Sequence, residues 1–147
     1  MSTRNRALLA GALLFIVGAL FAVDALIVTD EEKVREFAEA VSSPVDDSYF
    51  STLERWIDLG ACTLEVVVRG QSRLYTGDDI ETLRRDARRG LSFLQGSEIR
   101  TLSRSLEIEA DQAALQLRLF TSQGVREASF RMRRNDESWV VERVHVM

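Results

Sequence analysis

The chain is 147 residues long, 46% of them hydrophobic, and its formal net charge is -4 at pH 7. That length suits one domain of ordinary size once an apolar N-terminal stretch is set aside, and a mildly acidic chain is a poor binder of nucleic acid. One cysteine, Cys62, and one histidine, His145, exclude an internal disulfide and a Cys/His metal cluster, so we expect no cofactor and no metal. Only carboxylates remain as metal ligands, and no motif supports such a site.

The N-terminus carries a long apolar run that begins at Ala7, is interrupted at Asp24 and ends at Val28. As a helix this run would be roughly 33 Å long, which is enough to cross the hydrocarbon core of a bilayer. We therefore predict a single-pass transmembrane anchor in residues 1–29, with the membrane contacted by residues 7–28. The competing interpretation is a signal peptide cleaved near Asp24, although the run is longer than the apolar region of such peptides.

The charges on either side of this run predict its orientation. Arg4 and Arg6 precede it, whereas three acids follow it at residues 30–32. The positive-inside rule then places the N-terminus in the cytoplasm and the following domain outside it. Lys33 is the only lysine among 19 basic residues, a usage that favours a GC-rich bacterial source. The expected location is the bacterial inner membrane, with the domain on the periplasmic side.

Small residues recur in the apolar run at spacings that place them along one helical face. They are Ala7, Gly11, Gly18, Ala22 and Ala25. Such residues allow a second helix to approach closely inside lipid. The stripe predicts a homodimer or a contact with another membrane protein, and the alternative is ordinary lipid-facing composition.

Two helices are predicted after the anchor. Apolar residues at helical spacing indicate an amphipathic helix over residues 30–41, with acids in its first turn, where the helix dipole favours them. Ser43 is then a predicted N-cap, with Pro44 at the first helical position and Asp46 completing a capping box. The second helix should run to about Leu59.

A strand, a short extended segment and a third helix follow. Alternating residues predict the strand from Ala61 to Arg69, and a turn at residues 70–72 leads into the extended segment, which ends at Tyr75. The third helix should end at Gly96. Its predicted buried stripe comprises Ile80, Leu83, Ala87, Leu91 and Leu94.

The segment from Glu98 to Met147 predicts four consecutive strands. Apolar and polar residues alternate along it, and turn-forming segments at residues 110–112, 122–124 and 135–137 interrupt it at regular intervals. Connections this short force neighbouring strands to run antiparallel. The last strand is too apolar for simple alternation, so we expect it to be central or covered on both faces.

The ending from Arg133 to Val141, a charged turn followed by Trp139 and β-branched residues, resembles the nuclear-transport-factor-2-like superfamily, with its SnoaL-like and cystatin-like groups. The order of predicted elements over about residues 30–147 is similar to it as well. The resemblance implies an α+β fold, in which a cone-shaped domain of three helices packs on a curved antiparallel sheet and encloses a pocket. It implies no single activity, because the superfamily includes ketosteroid isomerases, polyketide cyclases, dehydratases and many non-catalytic modules.

An isomerase-type site in such a pocket would need a carboxylate base and a tyrosine or protonated acid facing one apolar cavity. The candidate residues for lining a ligand pocket are Tyr49, Trp56, Tyr75, Arg104 and Glu142. Asp46 and Asp47 are explained by helix capping. His145 lies two residues from the end of the chain, where a catalyst would be poorly positioned.

Arg104 shares a predicted strand face with the apolar residues Leu102, Leu106 and Ile108. On a concave face its guanidinium would bind an anionic group in a bidentate manner. The favoured alternative is a stem packed on apolar neighbours with the charged group at the rim. The arginines of the third helix are interpreted as its solvated face, namely Arg84, Arg85, Arg88 and Arg89.

From these patterns we predict a membrane-anchored binding or assembly module without catalytic residues. The alternative is an isomerase, dehydratase or cyclase that acts on a small-molecule ligand inside the cone. The two hypotheses differ in whether an acid and a tyrosine or histidine converge in one apolar cavity.

Overall fold

The computed structural model describes residues 29–147 of the chain. Helix α1 spans Asp30–Val41, α2 spans Tyr49–Leu53 and continues as one 3-10 turn over Glu54–Trp56, and α3 spans Ile80–Leu91 and continues as a 3-10 turn over Ser92–Leu94. The first helix forms as predicted, with three acids in its first turn and one apolar side turned into the core.

Six strands form one sheet: β1 Leu64–Val68, β2 Gln71–Tyr75, β3 Arg100–Glu109, β4 Gln112–Thr121, β5 Gly124–Asn135 and β6 Ser138–Val146. Their spatial order is β2-β1-β6-β5-β4-β3, so β2 and β3 are the edges. All neighbours run antiparallel except β1 and β6, which are parallel. The described part of the chain is therefore an α+β cone-like fold, with three helices packed on a curved, mostly antiparallel sheet.

The four predicted C-terminal strands are confirmed as β3 to β6. Every second residue of β4 is buried, so the alternation in the sequence did identify the core face of that strand. β6 lies between β1 and β5, and its residues Trp139, Val140 and Val141 are all buried. The expectation that this strand is central is confirmed.

The core lies between the helices and one face of the sheet. Its most completely buried side chains include Val34 from α1, Leu115 from β4 and Met132 from β5. Phe37 of α1 contacts two further aromatic rings edge to face, with centroid distances of 5.3 Å to Trp56 and 5.1 Å to Phe130. Aromatic rings and long aliphatic side chains thus fill the space between α1 and the sheet.

The prediction of a second helix beginning at Ser43 is wrong. The Ser43 hydroxyl instead donates to the carbonyl of Ala40 at 2.6 Å, and Asp46 accepts hydrogen bonds from the backbone N–H and hydroxyl of Ser48. Val45 pairs with the segment after α3, donating to Ser97 O and accepting from Gly96 N. These contacts hold residues 44–46 out of helical geometry, so α2 begins only at Tyr49.

The predicted strand at Ala61–Arg69 is also shorter than expected, because β1 begins at Leu64. A carboxylate oxygen of Asp58 accepts from the backbone N–H groups of Gly60 and Ala61, which fixes this segment as a turn. Gly96 adopts a left-handed φ of +76°, but α3 and its 3-10 turn have already ended before it. Gly96 therefore turns the connection towards β3 rather than capping the helix.

Two irregularities interrupt the strand pairing. Between Thr101 and Ser103 the register of β3 against β4 shifts and leaves Leu102 without a partner. Between β5 and β6 the register shifts in the same way and leaves Glu142 unpaired. Such bulges increase local twist and redirect side chains.

Residues Lys33–Met147 form one compact unit. Among residues 29–147 no helix is long and apolar enough to cross a membrane. The predicted anchor at residues 7–28 lies outside the described residues, so it stays a prediction.

Candidate functional site

The core cluster inside the cone contains two of the five predicted pocket residues, Trp56 and Tyr75. Trp56 is buried there against Phe37, in the cluster that also contains Leu115, Phe130 and Met132. The guanidinium of Arg55 lies 5.0 Å from the centre of the Trp56 ring and closes its outer side. Trp56 is therefore a core residue.

Tyr49 is buried, but its hydroxyl has no acid beside it. It donates a hydrogen bond to the carbonyl of Val41 at 2.6 Å, which ties α2 to the end of α1. Burial raises the pKa of Tyr49 to about 12, so the group remains protonated under ordinary conditions. This contact satisfies a carbonyl left without a partner at the end of the helix, and a structural role explains it fully.

Tyr75 is bonded to an acid that the sequence did not single out for this role. Its hydroxyl donates to Asp86 Oδ2 of α3 at 2.8 Å, and Arg73 Nη1 lies 2.8 Å from the same oxygen. The Arg73 guanidinium also lies 5.4 Å from the centre of the Tyr75 ring. Burial, followed by the bond to Asp86, raises the pKa of Tyr75 to about 12.

This cluster of Arg73, Tyr75 and Asp86 supplies a tyrosine beside a carboxylate, which is part of what an isomerase needs. The carboxylate is already neutralised by Arg73, whose own side chain is 59% exposed at the edge of the sheet. None of the three residues lines the groove described below. The cluster therefore joins β2 to α3 through the Asp86 carboxylate, and we call it the β2–α3 latch. In the sequence, Asp86 stands out as an acid among four arginines of α3, and this was the available sign that it has a specific partner.

Arg104 lies on the core face of β3, opposite Leu117 of β4, but its side chain is exposed. Within residues 29–147 it takes part in no hydrogen bond or ion pair. The guanidinium therefore lies at the rim of the sheet edge and does not enter an enclosed cavity, which is the favoured alternative of the two considered.

Glu142 is the unpaired residue of the β6 bulge, and its half-buried carboxylate lies 3.4 Å from Arg133 Nη2. Cys62 is close to it, with its Sγ 3.8 Å from the carbonyl of Val141. Burial raises the pKa of the Cys62 thiol, and the negative charge of Glu142 adds to that shift. Neither Glu142 nor Arg104 is brought next to Tyr49 or Tyr75 by a described contact.

A groove of about 600 Å³ lies between two helical segments. One wall is the segment from Val45 to Glu54, which includes α2, and the other is α3 from Arg84 onwards with the segment that follows it to Gln95. We call this the α2–α3 groove. Its lining residues are Val45, Asp46, Asp47, Phe50, Ser51, Glu54, Arg84, Arg88, Leu91, Ser92 and Gln95. No strand contributes to it, so it is distinct from the pocket that the family resemblance implied.

Most charged groups of the groove are engaged within the protein. Glu54 accepts from Arg84 Nε at 2.7 Å, and Arg84 also contacts Glu81 one turn before it. The bond to Glu54 raises the pKa of Arg84. Asp46 accepts from Ser48, which lowers the pKa of its carboxyl. From the sequence, Asp46 and Asp47 were predicted to cap a helix, and Arg84 and Arg88 to lie on a solvated helix face. The groove was not predicted, because the sequence does not indicate that α2 and α3 meet.

The chain matches no family model and no curated protein. Solved structures match it in fold. A protein of unknown function with a cystatin-like fold from Nostoc punctiforme PCC 73102 aligns with a TM-score of 0.60 and 13% identity, over 80% of this chain and 89% of that one. A protein from Parabacteroides distasonis ATCC 8503, provisionally named a ketosteroid isomerase, aligns with a TM-score of 0.56 and 18% identity, over 80% and 86%.

An NTF2-like protein of unknown function from Cytophaga hutchinsonii ATCC 33406 aligns with a TM-score of 0.51 and 12% identity, over 82% of this chain and 90% of that one. At identities this low the likeness shows the fold alone. The described part of the chain thus has a nuclear-transport-factor-2-like, cystatin-like fold.

Proposed function

We propose that this protein is a binding or assembly module without catalytic activity, held at the bacterial inner membrane by residues 7–28 with its domain on the periplasmic side. The observation that carries the non-catalytic part is the aromatic packing inside the cone. Phe37 packs edge to face against Trp56 and against Phe130, and all three rings are buried. Small-molecule sites are concave pockets, and a fold alone does not supply one.

The dispersal of the polar candidates supports the same proposal. Tyr49 is bonded to a backbone carbonyl, Glu142 to Arg133, and Arg104 is exposed at the rim. General acid-base chemistry needs a base and a stabilising donor within hydrogen-bond reach of one substrate. Each of these side chains instead has a separate structural role. Tyr49 bonds to the end of a helix, Glu142 lies at a strand bulge, and Arg104 lies at the edge of the sheet.

The alternative is an enzyme that transforms a small molecule, and one observation favours it. Tyr75 donates to Asp86 at 2.8 Å, a pairing of the kind used to stabilise an enolate. For catalysis, Arg73 would have to leave Asp86 and an apolar cavity would have to open beside the pair. Saturable binding of a steroid or an aromatic ketone, lost in Tyr75→Phe, would favour this alternative.

The filled interior is tested by titrating the full-length protein with indole and measuring the heat of binding. We expect no saturable binding to the wild type. Met132→Ala is the matched positive control, because removing a fully buried side chain leaves an apolar cavity that accepts small aromatic molecules. Stoichiometric indole binding to the wild-type protein, competed by larger apolar ligands, would contradict the proposal.

The membrane part is tested by adding protease to intact spheroplasts. The domain should be digested while a cytoplasmic marker survives, because the basic residues precede the apolar run. A protected domain, or a processed soluble form released from the cells, would contradict the anchor. Self-association through the anchor is tested separately by changing Gly11 and Gly18 together to leucine, which should reduce cross-linking in membranes.

A further inference from the structure

We propose that one exposed side of α3 binds the phosphate headgroups of anionic lipids, so that the domain contacts the surface of the bilayer. Its residues are Arg85, Arg89 and Phe93, with Arg88 beside them, and we call this side the basic face of α3. The inference rests on the proposed membrane anchor, and it adds a second contact between the protein and the membrane. It does not depend on whether the interior of the cone is filled.

The spacing of these residues places them along one side of the helix. Arg85, Arg89 and Phe93 follow each other at intervals of four residues, and Arg88 lies three residues after Arg85. Residues three and four apart are neighbours on a helical surface, and α3 continues as a 3-10 turn that includes Phe93. All of these side chains are exposed. α3 therefore presents a row of arginines that ends in an aromatic residue.

The positive charge of this row is not balanced by the acids of α3. Glu81, in the first turn, contacts Arg84. Asp86 accepts from the hydroxyl of Tyr75 and lies 2.8 Å from Arg73 Nη1. Both acids of the helix thus have other partners, and the charge of the row is left uncompensated within α3.

Other arginines of the domain have carboxylates beside them. On the sheet several lie next to glutamates, namely in the pairs Arg118 and Glu127, Arg133 and Glu142, and Arg143 and Glu65. Arg88 lines the α2–α3 groove, whose other wall carries Asp46 and Asp47. Among the described residues no carboxylate lies within ion-pair distance of Arg85 or Arg89. Because the chain has a formal net charge of -4, attraction to an anionic surface requires such a local excess of positive charge.

Phe93 indicates a partner with an apolar layer beneath its charges. Its side chain is 76% exposed, more than any other large hydrophobic side chain described. Helices that lie on membranes combine arginines, whose N–H groups contact lipid phosphates, with phenylalanine rings that enter the boundary between headgroups and acyl chains. Neither Phe93 nor Arg85 or Arg89 lines the groove, so the row is open surface. Open surface suits a continuous bilayer better than a small ligand.

The proposed anchor brings the bilayer within reach of the domain. The apolar run ends at Val28 and α1 begins at Asp30, so only Thr29 separates them. One residue extends the chain by at most about 3.6 Å. A domain tethered through so short a connection meets lipid at a high effective concentration, and a few weak contacts are then sufficient for binding. Charge complementarity favours the basic face of α3 as the side that makes them.

The test measures how fast phenylglyoxal modifies each arginine of the full-length protein in nanodiscs, with mass spectrometry as the readout. One preparation contains only zwitterionic phosphatidylcholine, and the other also contains phosphatidylglycerol. Modification of Arg85 and Arg89 should slow roughly fivefold in the anionic nanodiscs, because an arginine near an anionic surface strengthens binding by about that factor. Arg104 and Arg131, exposed arginines of β3 and β5, are internal controls and should react equally in both. High salt should abolish the difference.

Two variants test whether the row acts as a unit. Phe93→Ser removes the exposed ring and Arg89→Glu reverses one charge, and each should reduce the protection of Arg85 at least about twofold. The matched controls are Leu74→Ser, at an exposed apolar residue of β2, and Arg104→Glu, at an exposed arginine of β3. Both should leave Arg85 as protected as in the wild type. Thermal unfolding verifies that all four variants fold.

Three results would overturn the proposal. Equal rates at Arg85 and Arg89 in both lipids would leave the row as a solvated helix face. Equal slowing at Arg104 and Arg131 would show a general effect of lipid charge on the reaction. Slowing by an added peptide of alternating glutamate and leucine in phosphatidylcholine nanodiscs, without slowing by phosphatidylglycerol, would assign the row to an acidic protein.

The anchor is measured separately from the basic face. Insertion of the full-length protein into phosphatidylcholine nanodiscs and digestion of the domain on spheroplasts both report on residues 7–28 and require no contact by α3. The indole titration reports on the interior of the cone. Failure of the basic face is therefore distinguishable from failure of the proposed function.

Discussion

The cluster of Arg73, Tyr75 and Asp86 offers the sharpest test of whether a tyrosine beside an acid is structural here. Tyr75→Phe removes the hydroxyl that donates to Asp86 at 2.8 Å and keeps the ring in place. Hydrogen bonds to charged acceptors contribute about 1.5–3 kcal/mol. Because Arg73 still contacts the carboxylate, we expect a loss at the low end of this range, about 1.5 kcal/mol of unfolding free energy.

Asp86→Asn removes the charge that faces Arg73, and this partly exposed ion pair should contribute less than about 1 kcal/mol. The double variant closes a thermodynamic cycle. If the hydroxyl stabilises the fold through the carboxylate, the two changes should be non-additive by about 0.5–1 kcal/mol. Urea unfolding followed by tryptophan fluorescence measures all three values, since Trp56 and Trp139 are both buried.

Asp78→Asn is the control for this cycle, because Asp78 lies in the exposed turn before α3 and should change stability little. Additivity of the Tyr75 and Asp86 changes within about 0.3 kcal/mol would refute the latch. So would a Tyr75→Phe variant as stable as the wild type, since the hydroxyl would then be free for another purpose.

Tyr49→Phe should cost about 1–2 kcal/mol by calorimetry, because it leaves the Val41 carbonyl without its donor, and full stability would contradict the contact. Tyr49 and Tyr75 each have a pKa raised to about 12, above the ordinary value of 10, so their contribution should be complete below pH 10 and be lost as pH rises towards 12. The double phenylalanine variant should lose less stability over that interval, and an unchanged pH profile would count against both pKa shifts. Met132→Ala should destabilise by about 2–5 kcal/mol in urea, and a loss below 1 kcal/mol would show a loosely packed core. Arg104→Val should produce larger species by light scattering while Arg104→Lys does not, because a charge on an edge strand opposes strand pairing between molecules; equal size of all three proteins would reject that role.

Local sequence pattern was sufficient for elements whose partners are adjacent in the chain. The alternation in β4 identified its core face correctly, and the excess of apolar residues at Trp139 to Val141 placed β6 in the centre of the sheet. Hairpins joined by two-residue turns leave little choice of partner. The fold class followed from these strands and the helix order.

Contacts between distant segments were not predictable in this way. Val45 forms backbone hydrogen bonds with Ser97 and Gly96, more than 50 residues later. Because of these bonds no helix begins at Ser43, although the local sequence there is typical of an N-cap. The bond between Tyr75 and Asp86 crosses from a strand to a helix face whose orientation depends on packing. The α2–α3 groove is likewise a product of two helices meeting, and neither helix alone reveals it.

The account depends most on the filled interior of the cone, and xenon binding measures this directly. Xenon enters closed apolar cavities in a crystal without requiring any particular ligand chemistry. In the wild-type protein we predict no xenon site bounded by Phe37, Trp56 and Phe130, and one site in Met132→Ala crystals under the same pressure. An ordered xenon atom among those three rings in the wild type would show an empty cavity and contradict the proposal of a non-catalytic module.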